Sequence, residues 1–483
     1  MSSQHPVNRR QMLRLATGAS AAALLAACGG SSAPKAPAVG GGGSGSGSGT
    51  TAPGAAATTA PAAGGASPAA NSAASAGGGG KFYILVDKGV TDAGLLDGTA
   101  AYNTSTKNVP GVELEDAVAG QWEAKVLPQI KDKSLRWSGE GYIPYFDKYK
   151  ETKAGISAPL DDLIKNSKVP WLANMKDAYI SPRIADAELI DGKRYYLPMR
   201  LHPHLIGWRQ DYIEAAGYPT MPKTWDEVDQ MLPKIKKATE KDQVVPMSIA
   251  RDLWRTIGVT FATMLDDYAD EQGIFRLESP EWIATMEYFK KWMDAGLARF
   301  DTQDDAINLW QKGKFAMSLG SHSWVRLGRA VYGPDKVKGG IPPQPNTTQK
   351  PRTWVHIDSF CVFNNAPNPQ GALDWAATVY GPEGPAAEAW WKTTLGVSGM
   401  PPYQSMIDKL IKPNKDISEM LDILSILPNS RVNTAAQTNG YNTVQLVLPP
   451  IFDRYFKGEF SSAKDASAAI RKGVNDELAK QKT

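Results

Sequence analysis

Between Cys28 and Lys81 the chain offers nothing from which a folded core can be made. Residues 29–80 are almost entirely glycine, alanine, serine, threonine and proline, with one lysine, no carboxylate and no aromatic residue. Such a tract buries too little apolar surface to offset the entropy of ordering it, so any fold must be built from residue 81 onward. As a flexible coil the tract spans on the order of 40 Å, enough to hold a globular body clear of whatever fixes its N-terminal end. The remaining body is too long for one ordinary core, which makes two lobes the default expectation.

The stretch before the tract, NRRQMLRLATGASAAALLAAC, opens with Arg9, Arg10 and Arg14 and continues in small apolar residues up to Cys28. Its apolar run, broken by Thr17, Gly18 and Ser20, falls short of the roughly twenty residues that a membrane span requires. Residues 1–27 therefore read as a removable export signal. Leu25-Ala26-Ala27-Cys28 resembles a bacterial lipoprotein box, whose cysteine becomes the lipid-carrying first residue of the mature chain. NRRQML resembles a twin-arginine export signal, with Asn8 where Ser or Thr is commoner. Residues 28–80 are then a lipidated cysteine and its tether, with acyl chains supplying about 0.8 kcal/mol of membrane affinity per buried methylene. The location implied is a lipoprotein on the extracellular or periplasmic face of the cell membrane.

All four charged residues before position 81 (Arg9, Arg10, Arg14, Lys35) are basic, and setting them aside leaves 49 Lys+Arg against 50 Asp+Glu. A body so balanced has no basic excess for a polyanion, and no nucleic-acid partner is expected. With Cys28 lipidated, Cys361 has no intrachain disulfide partner; within IDSFCVF it reads as a small apolar residue of a buried strand.

In the body, helical and strand patterns alternate, which predicts an α/β class. KFYILV (81–86) is a β-branched and aromatic run suited to a first buried strand. PKTWDEV carries a capping box, Thr224 with Glu227 three residues on. SPEWIATMEYFKKWMDAG predicts a helix with Ser279 as N-cap, Pro280 at its first position and Gly296 past its end. Its Trp282, Met286, Phe289 and Met293 share one face and read as core. KFAMSL (314–319) and SFCVF (359–363) read as strands.

Taken together, several segments resemble the extracellular solute-binding proteins of ATP-binding-cassette importers, the maltodextrin-binding-like family. They are APLDDLI (158–164), LIDGKRYYLPMRLHPHLIGWRQDYIEAAGY (189–218), PKTWDEV (222–228), WQKGKFAMSLGSHSW (310–324), FNNAPNPQGALDWAATV (363–379) and GMPPYQSM (399–406). The resemblance implies a two-lobed periplasmic-binding-protein-like fold with a hinge and an interlobe cleft. Lobe 1 would comprise residues 81–203 with 333–392, and lobe 2 residues 204–332 with 393–483. It implies a non-enzymatic receptor that captures a carbohydrate or similar polyhydroxylated solute and delivers it to membrane permease subunits.

Aromatic rings suit the C–H faces of sugars and a few polar groups set their orientation. By match to the family pattern, Asp87 and Lys88 follow the first strand as ligand contacts. Trp137 stands as a stacking platform with Glu140 as a hydroxyl acceptor. LPMRLHPHLIGW aligns on a crossover segment, placing Arg200 and His202 at the solute. Trp254 and Trp324 match aromatics of the second lobe. His356 and Ile357 stand where the family often has Gly-Gly, so His356 and Asp358 narrow the cleft toward a smaller solute, and Tyr441 matches the last aromatic position. For Asp358 and Tyr441 a structural role stands beside contact. His202 and His204 flank a proline with no third ligand nearby in sequence, a poor zinc signature, so no metal and no cofactor are expected.

The alternative from another class is a secreted carbohydrate-active hydrolase using paired carboxylates. The sequence has no G-x-S-x-G elbow and no H-E-x-x-H zinc helix. A purely structural surface lipoprotein is a further alternative. The solute class stays open among mono- and oligosaccharides, sugar acids, polyols and glycerol phosphate esters, the last favoured if Arg200 and Arg255 both reach the cleft.

Overall fold

The computed structural model describes residues 81–480 apart from 88–92, 106–110, 118–121, 144–147, 271–273, 398, 415–416, 418 and 431–439. The expectations for the leader, Cys28, the tether and Lys88 fall outside the described residues.

The first half begins with two parallel crossovers. Strand β1 (Phe82–Asp87) is flanked by β2 (Val112–Ala117) and β3 (Trp137–Ile143), both parallel to it. Helices Ala93–Ser105 and Trp122–Lys131 make the connections, as parallel pairing demands. Because β1 has a crossover on each side, the carboxyl ends of β1 and β3 form a topological switch point, the usual place for a ligand crevice in an open α/β sheet. A short hairpin follows, β4 (Leu189–Ile190) and β5 (Lys193–Arg194). Its Asp191-Gly192 turn has both residues at positive φ, the conformation that Asp-Gly favours in two-residue hairpin loops.

Strand β6 (Tyr196–Arg209) joins the two halves. At about 3.3 Å per residue its fourteen residues serve two sheets in succession. Tyr196 to Pro203 pair antiparallel with β11 (Val355–Val362). His204 to Trp208 then pair with β9 (Phe315–Ser321), and Ile206 to Arg209 with β10 (Val337–Gly340). The second half is completed by β7 (Val245–Ala250) and β8 (Ala298–Asp301), parallel neighbours connected through helices Gly258–Met264 and Pro280–Asp294. The whole path runs β2-β1-β3-β11-β6-β9-β7-β8, with β10 beside β6.

Two features shift the lobe boundaries relative to the sequence expectation. Residues 333–354 stay with the second half: β10 pairs with the distal end of β6, Gln344 N–H donates to Lys223 O at 2.8 Å, and the chain returns only at Trp354, whose carbonyl accepts from His204 N–H at 2.9 Å. Conversely, Met400 pairs with Leu201 and Tyr403 with Tyr179 of the first half, while the helix Glu419–Ile426 packs against β10. The final helices Gly440–Phe456 and Ala463–Lys480 pack in the second.

Local signals behave as the sequence predicts. Thr224 and Glu227 form the capping box of helix Trp225–Ala238, and Ser279 Oγ accepts from Trp282 N–H with Pro280 at the first turn. Trp282, Met286 and Phe289 are buried in the second core. Thr224→Ala should lower the unfolding free energy by about 1 kcal/mol and Trp282→Ala by about 3–5 kcal/mol. Urea titrations followed by circular dichroism measure both, and equal costs would contradict the division between cap and core.

Candidate functional site

The pleat of a strand points every second side chain to one face, so Arg200, His202 and His204 stand in a row on β6. Antiparallel register sets His356 opposite His202 and Asp358 opposite Arg200. The result is a polar ladder at the point where the chain crosses between halves. Arg200 Nε donates to Asp358 Oδ2 at 2.8 Å, and His202 Nε2 meets the same oxygen at 2.6 Å. The rings of His202 and His356 stack with centroids 4.6 Å apart and planes 9° from parallel. His356 Nδ1 lies 3.0 Å from His204 Nε2. All five side chains are buried.

Burial by itself would raise the carboxyl of Asp358, but the charges of His202 and Arg200 and the hydrogen bond from His202 outweigh it and hold it well below the usual carboxylate range. Burial is the main cause that lowers His204, with His202 and Arg255 adding to it. It likewise lowers His356, with His202 and His204 adding and Asp358 opposing.

The opposite face of β11 is also polar. Lys148 Nζ donates to Glu188 Oε1 at 2.6 Å, Ser359 Oγ at 2.7 Å and Ile357 O at 3.0 Å. From the second half, the kinked turn Leu253–Ile257, non-helical at Arg255 (φ −106°, ψ −121°), brings Arg255 to 5.5 Å from the Trp324 ring centroid and 3.2 Å from Asp252. Met400 exchanges two backbone hydrogen bonds of 2.9 Å with Leu201. Beside it Gly399 has φ +73°, and a Cβ there would lie 3.1 Å from Arg200 Cδ, His202 Nε2 and Leu201 O.

His202, His356 and Asp358 each bring a ligand atom within 4.8 Å of the others, a third and fourth polar partner that the spacing of His202 and His204 did not reveal. Metal ligation requires the ion in the plane of each imidazole at about 2.0–2.1 Å. Two nearly parallel stacked rings share no such point, and Asp358 Oδ2 is already shared by Arg200 and His202. As placed, these residues form a hydrogen-bonding ladder.

A family model described as bacterial extracellular solute-binding protein matches residues 99–417, more than half of the chain. The chain belongs to this solute-binding family. Among solved structures, the sugar-binding protein MalE of Xanthomonas citri matches with a TM-score of 0.68 at 15% identity, covering 83% of this chain and 98% of that one. The cyclic alpha-maltosyl-1,6-maltose binding protein of Arthrobacter globiformis gives 0.63 at 17%, covering 83% and 99%. These likenesses establish the two-lobed periplasmic-binding-protein fold. A Brucella abortus protein named as a binding protein is 23% identical over 231 residues, 45% of this chain and 52% of that protein. The match thus spans about half the length of this curated relative.

Within this solute-binding protein the expected site residues divide. Arg200, His202, His356 and Asp358 come together in the ladder, and Trp324 stands beside Arg255. Asp87 ends β1 opposite Ala117, at the switch point. The side chains of Asp87 and Trp254 lie outside the described residues. Trp137 packs in the core with Trp122, Val126 and Ile130, and Lys125 Nζ sits 4.4 Å from its ring centroid, so the expected stacking platform is a core residue. Glu140 is fully buried opposite Leu85 and Cys361. Tyr441 is likewise a core residue, with its ring 6.2 Å from both Phe275 and Trp354. Trp324 is sealed too, its carbonyl accepting from Trp310 Nε1 at 2.9 Å. The sequence reading missed Lys148, Glu188 and Gly399. The left-handed Gly399 could have been suspected from V-S-G-M-P-P, while the Lys148–Glu188 pair has no local signal.

Asp358→Ala should cost about 3–5 kcal/mol, because it leaves the buried Arg200 guanidinium unpaired and the His202 imidazole without its acceptor. Gly399→Ala should cost about 1 kcal/mol or more through its positive φ. Denaturant titrations at neutral pH measure both, and near-wild-type midpoints for both would contradict a tightly built ladder.

Proposed function

We propose that this solute-binding protein captures a sugar or similar polyhydroxylated solute between its lobes and hands it, uncleaved, to the membrane permease of an ATP-binding-cassette importer. The observation that carries the reading is the convergence of polar groups from both halves on the strand that joins them: Arg200, His202, His356 and Asp358 from the first and Arg255 from the second. A solute bonded to both halves favours the closed form only by the margin of its extra contacts there. The family supports capture, and the neighbouring structures named for maltose-type sugars support the solute class.

Solute contacts are proposed for Arg200, His202, His356 and Asp358 and, from the sequence match, for Asp87, Lys88 and Trp254, while the sealed Trp324 backs Arg255 without touching solute. Glu140, Trp137 and Tyr441 are assigned to the cores. The hydrolase alternative lacks support: among the described residues, Asp358, Glu188 and Asp252 near the crossing each lie within ion-pair distance of a cation, whereas glycoside hydrolysis needs a free acid and a free base or nucleophile.

A thermal-shift screen with maltose, maltotetraose, sorbitol, gluconate and glycerol 3-phosphate tests the reading. A binder at a hundred times its dissociation constant adds about 2.7 kcal/mol of stability. No shift with any of them, or reducing ends released from the oligosaccharides, would contradict it.

The mooring proposed is acylation of Cys28 after export, by the twin-arginine route suggested by Arg9 and Arg10. Cys28→Ala should move the protein from the membrane pellet to the soluble fraction, and retention in the pellet would contradict the anchor.

A further inference from the structure

The four histidines after residue 28 are His202, His204, His322 and His356, and all are buried. Three of them line the ladder, where their protons are constrained. A carboxylate oxygen only accepts, so His202 carries its proton on the Nε2 that meets Asp358 Oδ2. The 3.0 Å contact between His204 Nε2 and His356 Nδ1 requires one donor and one acceptor, and therefore holds one proton between the two nitrogens. With a proton on each, two N–H groups would face one another and the hydrogen bond would be lost.

The place of this pair in the fold gives that loss a mechanical consequence. His204 belongs to the part of β6 that pairs with β9, while His356 belongs to β11 and pairs with His202. The two imidazoles therefore bridge the point at which β6 leaves one sheet for the other, next to Pro203. A rotation of the halves about that point changes their separation.

The surroundings oppose a second proton. Around the pair stand Arg200 and His202 from β6, Asp358 from β11, Arg255 from the kinked turn Leu253–Ile257 and Lys148 from the helix Lys148–Lys153, its charge answered by Glu188. Asp358, the carboxylate bonded into the ladder among the described residues, already accepts from Arg200 and His202.

We propose that the His204–His356 pair is a proton lock on the interlobe crossing: one shared proton keeps it closed, and a second, taken from solvent, parts the imidazoles and opens it. It rests on the reading that solute is held between lobes that move about this crossing, and it predicts capture at neutral pH and release in acid. Burial works in the same direction. Both imidazoles are held below the ordinary histidine range of about 6.5. The closed form is therefore fully favoured above that value and loses stability as the pH falls through and below it. His204 is thus a positioning residue that acts through His356 and the stacked His202.

The test uses the full chain without solute, so it stands apart from the solute screen. In long-range proton–nitrogen spectra of histidine-labelled protein, His204 and His356 should be neutral at pH 7.5, with one proton at their contact. They should take up protons in one step on acidification. X-ray scattering should show the radius of gyration rising at that step while circular dichroism holds constant. His204→Gln keeps a hydrogen-bonding partner for His356 but accepts no second proton, and should shift the step by at least one pH unit or abolish it. His356→Gln tests the pair from the other side should the first variant fail to fold. A step at the wild-type pH in either variant, or independent titration of the two histidines, would overturn the lock.

Discussion

One carboxylate answering a buried guanidinium and a buried imidazole is the constraint on which the crossing depends. Asp358 accepts from Arg200 and His202 with little water to help, and each of the three would be costly to bury alone. The pairing lies in the short antiparallel ribbon of β6 and β11, beside the point where β6 changes sheets. Whatever stabilises that ribbon also sets the geometry between halves. The proposed solute contacts are thus the same residues that balance the ladder's own charge.

The ladder is flanked by a second buried ion pair. Lys148 and Glu188 meet behind β11 through Ser359 and the Ile357 carbonyl, so both faces of the strand are polar where most of the sheet is apolar. Lys148 satisfies its three donors there, and such buried charge-assisted bonds favour one local arrangement. That fixity suits a strand whose register decides which side chains face the other half. A slip of one residue would turn Arg200, His202 and His204 away together.

Much of this was legible in the sequence because it depends on short-range patterns. The alternation of helix and strand signals, the Thr224–Glu227 capping box and the R-L-H-P-H spacing are local, and each element appears where the pattern places it. The remainder depends on partners distant in the chain. Which tryptophans face a groove and which face a core is set by sheet register, and the irregularity between Tyr83 and Ile84 helps determine the side that Trp137 takes. Residues 333–354 follow the second half because the weakly patterned V-K-G-G strand pairs with the far end of β6. Glu188 finds Lys148 across forty residues, and His356 reaches His204 across 152. No local signal announces either contact.

The central claim is that solute is gripped at the crossing by both halves together. Hydrogen–deuterium exchange of the full chain, with and without the strongest binder from the solute panel, tests this most directly. The account predicts slowed exchange in residues 197–208 and 353–359 together with the turn around Arg255. Protection confined to one half, or absent from the crossing while the solute is bound, would contradict it.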